Sequence, residues 1–486
     1  MRVTTIDHYR PAAGQLVIFS PDASAADTRR SGVPPSFNQS IHLAGADGSS
    51  IWLAAAFDIC GPIDTTALAR AYRDLIARHG TLHSSFHREG TEVVRHEVDP
   101  AGITVTARAP ITADTDAELQ ALLRAELDSA CAPLGFPAYL LAAITRDEES
   151  TIICGFDHAH VDAYSISIVI DDLHRLYHGH HQRPGEFCPN ELPMSGSFVD
   201  FCAAESQTPA VAPGDPRMRD WLRFFDSLDA TLPTFPLDLG LQPGQSARQA
   251  SDLRPLLDAA DTERCAQFCR ANGASLFGGI LAAMADAIRS NGGGPELATL
   301  FPMHTRRAEP WQNAVGWFTT NAPIQIVSTG DPVETMRRAG PTLRRAMRLG
   351  EVPVPQVIST LGGFTQLRSD IFMISYVDYR RLPTARLGEG VNAHHISNAT
   401  TADDAQFWIS RSEQGLAIRT RHPDTATARA SINGFLTTLA ELLTAHLLAP
   451  VEPAHPTAMA QKSAVPRSSV HAPSPALADD GRVAAP

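Results

Sequence analysis

The chain has 486 residues, of which 43% are hydrophobic and 19% charged, and it carries a net charge of −13 at pH 7. That length predicts two lobes, and the apolar content is sufficient to fill two cores. The acidic balance disfavours nucleic-acid binding, which requires a basic patch, and electrostatic attachment to anionic lipid. Seven scattered cysteines without a dense framework indicate reduced thiols in a cytoplasmic protein.

The N-terminal residues and the C-terminal tail give expectations about secretion and order. Residues 1–11 contain no continuous apolar stretch and no small-residue cleavage site, so we expect no secretory signal peptide. No apolar run approaches the roughly 18 residues of a membrane span. We therefore expect a cytoplasmic protein without a transmembrane segment, whose membrane contact would be peripheral, at the inner face. Residues 450–486 are rich in Ala, Pro and Ser, which predicts a disordered tail; a docking segment for a partner synthase is the alternative.

The N-terminal part of the chain predicts a short segment followed by an α/β lobe. Residues 1–50 are interrupted by Pro, Gly, Asp and Ser, which predicts a partly ordered arm across a lobe surface. Residues 51–185 alternate between strand-like and helix-like patterns, which indicates a mixed or largely antiparallel sheet. The predicted elements are strands at 51–59, 92–97, 139–144 and 151–156, and helices at 65–78 and 116–131. No glycine-rich phosphate loop follows the first strand, which excludes a doubly wound nucleotide-binding fold.

The C-terminal part predicts a second lobe of similar make-up. Residues 186–250 are rich in Pro, Gly and aromatic residues, with one helix-like insert at 218–228, and are interpreted as the inter-lobe connection. Residues 251–449 repeat the helix and strand patterns of the first lobe. The predicted elements there are helices at 261–272, 276–289 and about 426–446, and strands at 297–303, 322–326, 371–377, 406–410 and 416–420. The fold class is therefore predicted as α/β with mixed sheets, in two lobes.

A polar loop after the strand at 151–156 carries the main chemical signal. It contains His158 and Asp162 in an H-x-x-x-D spacing, ahead of an amphipathic run. The imidazole titrates near neutral pH and a carboxylate can hold its ring, so the pattern is typical of a general base at a strand end. An ordinary hydrogen-bonded loop histidine is the alternative, because this spacing also occurs by chance.

The loop reads D-H-A-H-V-D-A over residues 157–163 and resembles the H-H-x-x-x-D-G signature of the condensation-domain superfamily of acyltransferases. Asp157 stands where that signature has its first histidine, and Ala163 stands where it has glycine, a change that matters only if the backbone needs a positive φ. Further segments follow the order of the family: F-D-I-C-G-P-I-D at 57–64, R-H-G-T-L-H-S-S-F at 78–86, F-P-M-H-T-R at 301–306, A-V-G-W-F-T-T-N-A-P at 314–323 and F-M-I-S-Y at 372–376.

This resemblance implies two chloramphenicol-acetyltransferase-like lobes with a channel between them, and roles for particular residues. It implies that His158 is the general base and that Asp162 has a structural, orienting role. Asp162 would pair with an arginine of the second lobe, at Arg306 or its neighbour Arg307. The substrate-binding positions that it implies are Arg306, Trp317, Asn321 and Ser375, with Ser375 donating to the oxyanion. Their structural alternatives are a packed tryptophan, a turn-capping asparagine and a plain strand serine.

A narrower resemblance is to the polyketide-synthase-associated acyltransferases of mycobacterial type, which build acylated trehalose lipids. V-P-P-S-F-N-Q at 33–39, S-Y-V-D-Y-R at 375–380 and F-W-I-S-R at 407–411 are similar to their segments. The resemblance implies transfer of a fatty or polyketide acyl group to a hydroxyl of a glycolipid or trehalose-type acceptor. It implies no permanently bound cofactor. The donor would be acyl-CoA or a phosphopantetheine-linked thioester on a polyketide synthase carrier domain.

Two other functions stay open on the sequence. One is a stand-alone condensation protein that forms an amide in non-ribosomal peptide assembly, although the D-F-G-W-G motif of such domains is not found at its expected place. The other is a non-catalytic docking platform, which the departures at 157 and 163 would suit. A metal site is not expected, because the histidines near the loop look like a polar turn and a solvated helix end: His160, His174, His178, His180 and His181.

Overall fold

The computed structural model describes residues 1–45 and 51–448. These residues form twelve α-helices: α1 (Phe37–Ala44), α2 (Thr65–Arg78), α3 (Asp116–Ala130), α4 (Ala163–Gln182), α5 (Phe198–Ser206), α6 (Pro216–Asp226), α7 (Ala259–Ala271), α8 (Leu276–Ser290), α9 (Glu309–Gln312), α10 (Pro332–Leu349), α11 (Val354–Leu361) and α12 (Ala426–Leu448). The predicted disordered tail at 450–486 lies outside the described residues.

The same residues form nineteen strands: β1 (Arg2–Thr5), β2 (Gly14–Asp22), β3 (Thr28–Arg30), β4 (Trp52–Cys60), β5 (Ser84–Glu89), β6 (Glu92–Val98), β7 (Thr104–Ala107), β8 (Ile111–Ala113), β9 (Tyr139–Thr145), β10 (Glu149–Asp157), β11 (Ala247–Ala250), β12 (Leu253–Asp258), β13 (Glu296–His304), β14 (Thr319–Val327), β15 (Ile374–Asp378), β16 (His394–Ser397), β17 (Thr401–Ala402), β18 (Gln406–Ser412) and β19 (Gly415–Pro423). The helices and strands predicted from the sequence are all present, with ends shifted by a few residues at most of them.

The first lobe is built on an eight-stranded sheet in the order β1-β16-β4-β10-β9-β2-β7, with β8 also paired to β2. The β1–β16 pair is parallel and the other pairs are antiparallel. Alternate residues of β4 face two different cores: Ala55 and Phe57 pack with α2 and α4, whereas Ala54 and Ala56 pack with α3. Because side chains of a strand point alternately to the two faces of its sheet, both faces are covered by helices here.

The second lobe is built on a six-stranded sheet in the order β15-β18-β19-β11-β17, with β12 also paired to β19. The β15–β18 pair is parallel. Helices α7, α8 and α12 contribute to the core on this sheet, in which Cys265, Cys269, Ile280 and Phe435 are buried. Strands β13 and β14 form a separate antiparallel hairpin, and Leu300 of β13 bridges to Met373 just before β15. The predicted α/β fold with mixed sheets in two lobes is confirmed.

Two segments differ from the predicted organisation. Residues 1–45 do not form only a surface arm, because β2 is an inner strand of the first sheet, held between β9 on one side and β7 and β8 on the other. Strand β16 lies in the predicted second lobe by sequence but pairs with β1 and β4 of the first. The predicted connection at 186–250 holds two helices, α5 and α6, where one was predicted.

No single helix of the described residues is long and apolar enough to cross a membrane; α7 and α8 meet that length and composition only as a pair bent by 90°.

Candidate active site

The predicted strand–loop–helix context of His158 is present. Strand β10 ends at Asp157, and α4 begins at Ala163 with Asp162 as its N-cap. The carboxylate of Asp162 accepts a hydrogen bond from the Ser165 amide at 2.7 Å. Ala163 lies in the first turn of the helix without a positive φ, so the family's glycine is not required at this position.

A hydrogen bond to the backbone holds one ring nitrogen of His158 and leaves the lone pair of the other to accept a proton. Its Nδ1 lies 2.8 Å from the Val161 carbonyl oxygen, which can only accept, so Nδ1 carries the proton and Nε2 keeps a lone pair. The ring stacks on Trp317, with centroids 4.0 Å apart and an angle of 23°. Burial, and then the nearby His42, lower the pKa of His158 below its ordinary value. The imidazole is therefore neutral at neutral pH and able to accept a proton.

The predicted ion pair between Asp162 and Arg306 is present and joins the two lobes. Arg306 Nη1 donates to Asp162 Oδ2 at 2.7 Å and Nη2 donates to Oδ1 at 3.0 Å. The Phe318 amide donates to the same carboxylate at 3.0 Å. Burial alone would raise the pKa of Asp162, but Arg306 and Ser165 outweigh it, and the pKa lies below its ordinary value. The carboxylate is occupied in holding the loop and is not placed as a proton relay.

Arg306 is enclosed by other side chains. Its guanidinium lies between the rings of Tyr164 and Phe318, at 4.7 and 4.4 Å from their centroids. Its Nη2 also donates to Ser165 Oγ at 2.8 Å. The side chain is 1% exposed, which leaves no surface for a ligand. The expectation that Arg306 binds substrate is therefore corrected, and its position supports a structural role.

The other three predicted substrate-binding residues are placed differently from one another. Trp317 contacts the candidate base through its ring. Asn321 lies on β14 and Ser375 on β15, and both are half-buried. Within the described parts of the chain, neither forms a hydrogen bond or ring contact with His158. Their substrate-binding roles stay predictions.

Asp157, which stands where the family signature has its first histidine, is paired with His42 of α1. His42 Nε2 lies 2.9 and 3.2 Å from the two carboxylate oxygens, and the side chains are 8% and 0% exposed. Asp157 Oδ1 also accepts a hydrogen bond from the Ala159 amide at 2.9 Å. Sequence reasoning missed this pair because its members lie 115 positions apart. The one signal for it was the unexpected carboxylate in the signature.

Helix α1 fixes the loop at further points. Gln39 Nε2 donates to the Ala159 carbonyl at 2.7 Å, and Gln39 Oε1 accepts from the buried Arg95 at 2.8 Å. Asn38 Nδ2 donates to the Thr319 carbonyl of β14 at 2.7 Å. Helix α1, which lies in the segment predicted as a surface arm, is thus part of the site and contacts both lobes.

Two of the neighbouring histidines, His160 and His180, are buried and paired within the protein. His160 is fully buried, its Nδ1 lies 3.0 Å from Thr81 Oγ1, and burial lowers its pKa to about 4. His180 Nε2 lies 2.7 Å from Asp74 Oδ2 and both are buried, so the expectation of a fully solvated helix end is wrong for this residue. In the described part of the chain, no group of three His, Cys, Asp or Glu side chains is arranged to hold a metal ion.

The backbone of Gly316, next to Trp317, lies against the ring of Phe198 with no room for a side chain. A Cβ at this position would lie 2.3 Å from Cγ of the buried Phe198 ring. We expect Gly316→Ala to lower the free energy of unfolding by about 1–3 kcal/mol, as overpacking does in cores. Urea denaturation measures this. Gly294→Ala is the matched control, since a Cβ there meets nothing within 4 Å, and equal effects of the two changes would contradict the close approach.

Comparison with known proteins gives consistent matches over most of the chain. The condensation domain family matches residues 39–454. Acyltransferase PapA3 of Mycobacterium tuberculosis is 27% identical over 463 residues, which cover 90% of this chain and 95% of the relative. Trehalose-2-sulfate acyltransferase PapA2 of the same organism is 27% identical over 463 residues, covering 89% and 95%. Its 2'-acyl-2-O-sulfo-trehalose (hydroxy)phthioceranyltransferase PapA1 is 27% identical over 459 residues, covering 90% and 87%.

Solved structures agree with these matches. The PapA2 acyl transferase superposes with a TM-score of 0.83 at 25% identity, covering 92% of this chain and 100% of that chain. The X-domain from teicoplanin biosynthesis superposes with a TM-score of 0.69 at 17% identity, covering 86% and 96%, and shares the fold alone.

Proposed function

Because the chain belongs to the condensation domain family and is an acyltransferase, we propose that it transfers a fatty or polyketide acyl group from a thioester to a hydroxyl of a trehalose-type glycolipid acceptor. Two of the relatives are named for trehalose-derived acceptors and align over 89% and 90% of this chain. The observation that carries the proposal is the orientation of His158, whose Nδ1 is bonded to the Val161 carbonyl while Nε2 keeps its lone pair.

His158 is the general base in this proposal. Its Nε2 takes the proton of the acceptor hydroxyl as the oxygen forms a bond to the thioester carbonyl carbon. The tetrahedral intermediate then collapses, the carbon–sulfur bond breaks, and the leaving thiolate receives the proton from Nε2. An imidazole with a pKa at or below its ordinary value of about 6.5 is neutral when the acceptor arrives, and it returns the proton readily.

The donor is a substrate and no resident cofactor is needed, because a thioester is already activated towards attack. Either acyl-CoA or an acyl group on a polyketide synthase carrier domain meets this requirement. Trp317 forms an aromatic wall beside the base. Ser375 is the proposed hydrogen-bond donor to the oxyanion.

Mass spectrometry of acyl transfer by the wild-type protein tests this function. Long-chain acyl-CoA and an acyl-loaded carrier domain serve as donors, with trehalose, trehalose 2-sulfate, simple alcohols and amines as acceptors. We expect an O-acylated sugar as the main product. Amide as the sole product would identify a peptide-assembly activity instead, and the absence of transfer from both donors would favour a docking platform.

A further inference from the structure

We propose that His42 and Asp157 form a buried imidazole–carboxylate pair beside the base that positions the stacked rings of Trp317 and His158 and governs the protonation of the base. The inference rests on the proposed function, because it assigns positioning residues to a general base. The family signature has a histidine at position 157, whereas this chain has a carboxylate there and brings the imidazole from α1.

The Asp157 carboxylate fixes the backbone on both sides of the base. It receives His42 Nε2 at 2.9 Å and the Ala159 amide at 2.9 Å, so the residues before and after His158 share one acceptor group. Gln39 of α1 adds a donor to the Ala159 carbonyl at 2.7 Å. A buried carboxylate is stable only when hydrogen-bond donors satisfy it. Of the two groups that donate to Asp157, the Ala159 amide lies in the same loop, whereas His42 lies on α1.

His42 also contacts the ring on which the base stacks. Its ring meets Trp317 edge-on, with centroids 5.8 Å apart and an angle of 77°. Trp317 in turn lies 4.0 Å from His158, nearly parallel to it. Asn38, four residues before His42, donates to the Thr319 carbonyl two residues after Trp317. The orientation of the indole, and through it that of the base, therefore depends on α1.

The two partners act on the charge of the base in opposite directions. The centroid of His42 lies 6.4 Å from that of His158, so a proton on His42 disfavours a second one on the base. Asp157 favours protonation of the base and therefore offsets part of this effect. The other charged or titratable groups near the base are Asp162 with Arg306 from the second lobe, and His395 on β16.

Three variants separate positioning from simple stability. His42→Gln removes the imidazole that disfavours a proton on the base, so the pKa on the acid limb of kcat/KM should rise, with kcat about 10-fold lower and KM little changed. Asp157→Asn removes the carboxylate that favours a proton on the base, so the pKa on the acid limb should not rise in this variant. His180→Gln is the matched control, because it breaks a buried histidine–carboxylate pair of 2.7 Å remote from the loop, and it should not move the pH profile.

Histidine NMR measures the same titration without activity. The ¹³Cε1 signal of His158, assigned with the His158→Ala variant, should titrate at higher pH in His42→Gln than in the wild type. An unchanged titration and pH profile in His42→Gln, with only a loss of stability like that of His180→Gln, would overturn the inference. If the wild type transfers no acyl group while the His158 titration still shifts, the proposed function fails and the coupling of His42 to His158 stands.

Discussion

Replacing His158 with alanine should lower kcat by about 10²- to 10⁴-fold, the range that a positioned general base contributes. The loss should appear in the chemical step, because the substitution removes the proposed proton acceptor and leaves Trp317 and the rest of the loop in the chain. The Asp162–Arg306 pair is untouched, so the free energy of unfolding should fall by only about 1–3 kcal/mol, from the lost hydrogen bond to Val161 and the lost stacking on Trp317. Single-turnover transfer and urea denaturation measure the two effects.

The exposed His181 provides the control for this substitution. Its side chain is 52% exposed, and His181→Ala should leave transfer unchanged. The pH profile gives a second check: since burial and His42 lower the pKa of His158, transfer should persist below about pH 6.5 and fall only as pH drops through that lowered pKa. Full activity of His158→Ala would show that His158 is not the general base.

Replacing Asp162 with alanine should lower the free energy of unfolding by about 3–5 kcal/mol, because it leaves Arg306 charged, buried and without its counter-ion. The N-cap of α4 and the acceptor of the Phe318 amide are lost with the same carboxylate. Transfer should fall as well, since the loop that carries His158 is no longer fixed to the second lobe. Chemical denaturation, with transfer measured on the folded fraction, separates the two effects.

A double variant isolates the unpaired charge as the cause. Asp162→Ala combined with Arg306→Met removes both charges of this pair, so it should be more stable than Asp162→Ala alone, and a purely additive loss would contradict this explanation. Glu191→Ala, which breaks an ion pair whose side chains are about half exposed, should change stability little.

The pH dependence of stability has a definite sign. The folded pKa of Asp162 is lowered, so its contribution is fully present above the ordinary carboxyl pKa of about 3.9 and is lost as pH falls towards the folded value. Asp162→Ala should lack this part of the acid sensitivity.

Periodicity of apolar residues predicted most of the fold, and its failures have physical causes. Helix α2 was predicted at its observed bounds of 65–78. Helix α10 was missed because Pro341 lies in its interior, where proline removes a donor and usually breaks a helix. Packing of Met336 and Leu343 into the second core outweighs that penalty. The pairing of β16 with the first sheet joins distant segments, and no local pattern encodes it.

The site was predictable where its residues are close in sequence. His158 and Asp162 share one loop, so spacing and chemistry alone marked them. The pairing with Arg306 came from the family resemblance, since 144 positions separate the partners. His42 was not predicted, because a histidine on a short amphipathic helix looks like a surface residue until its partner Asp157 is seen beside it.

The path of β16 has a consequence for synthesis on the ribosome. Residues 394–397 complete a sheet whose other strands all lie within the first 157 positions, and β1 pairs only with this late strand in the described sheet. Until residue 397 has emerged, one edge of β4 presents unpaired amide and carbonyl groups, the kind of edge that invites misassociation. The first lobe is thus not a unit that matures independently as it is translated; the nascent chain must wait for most of the second lobe before the first can close.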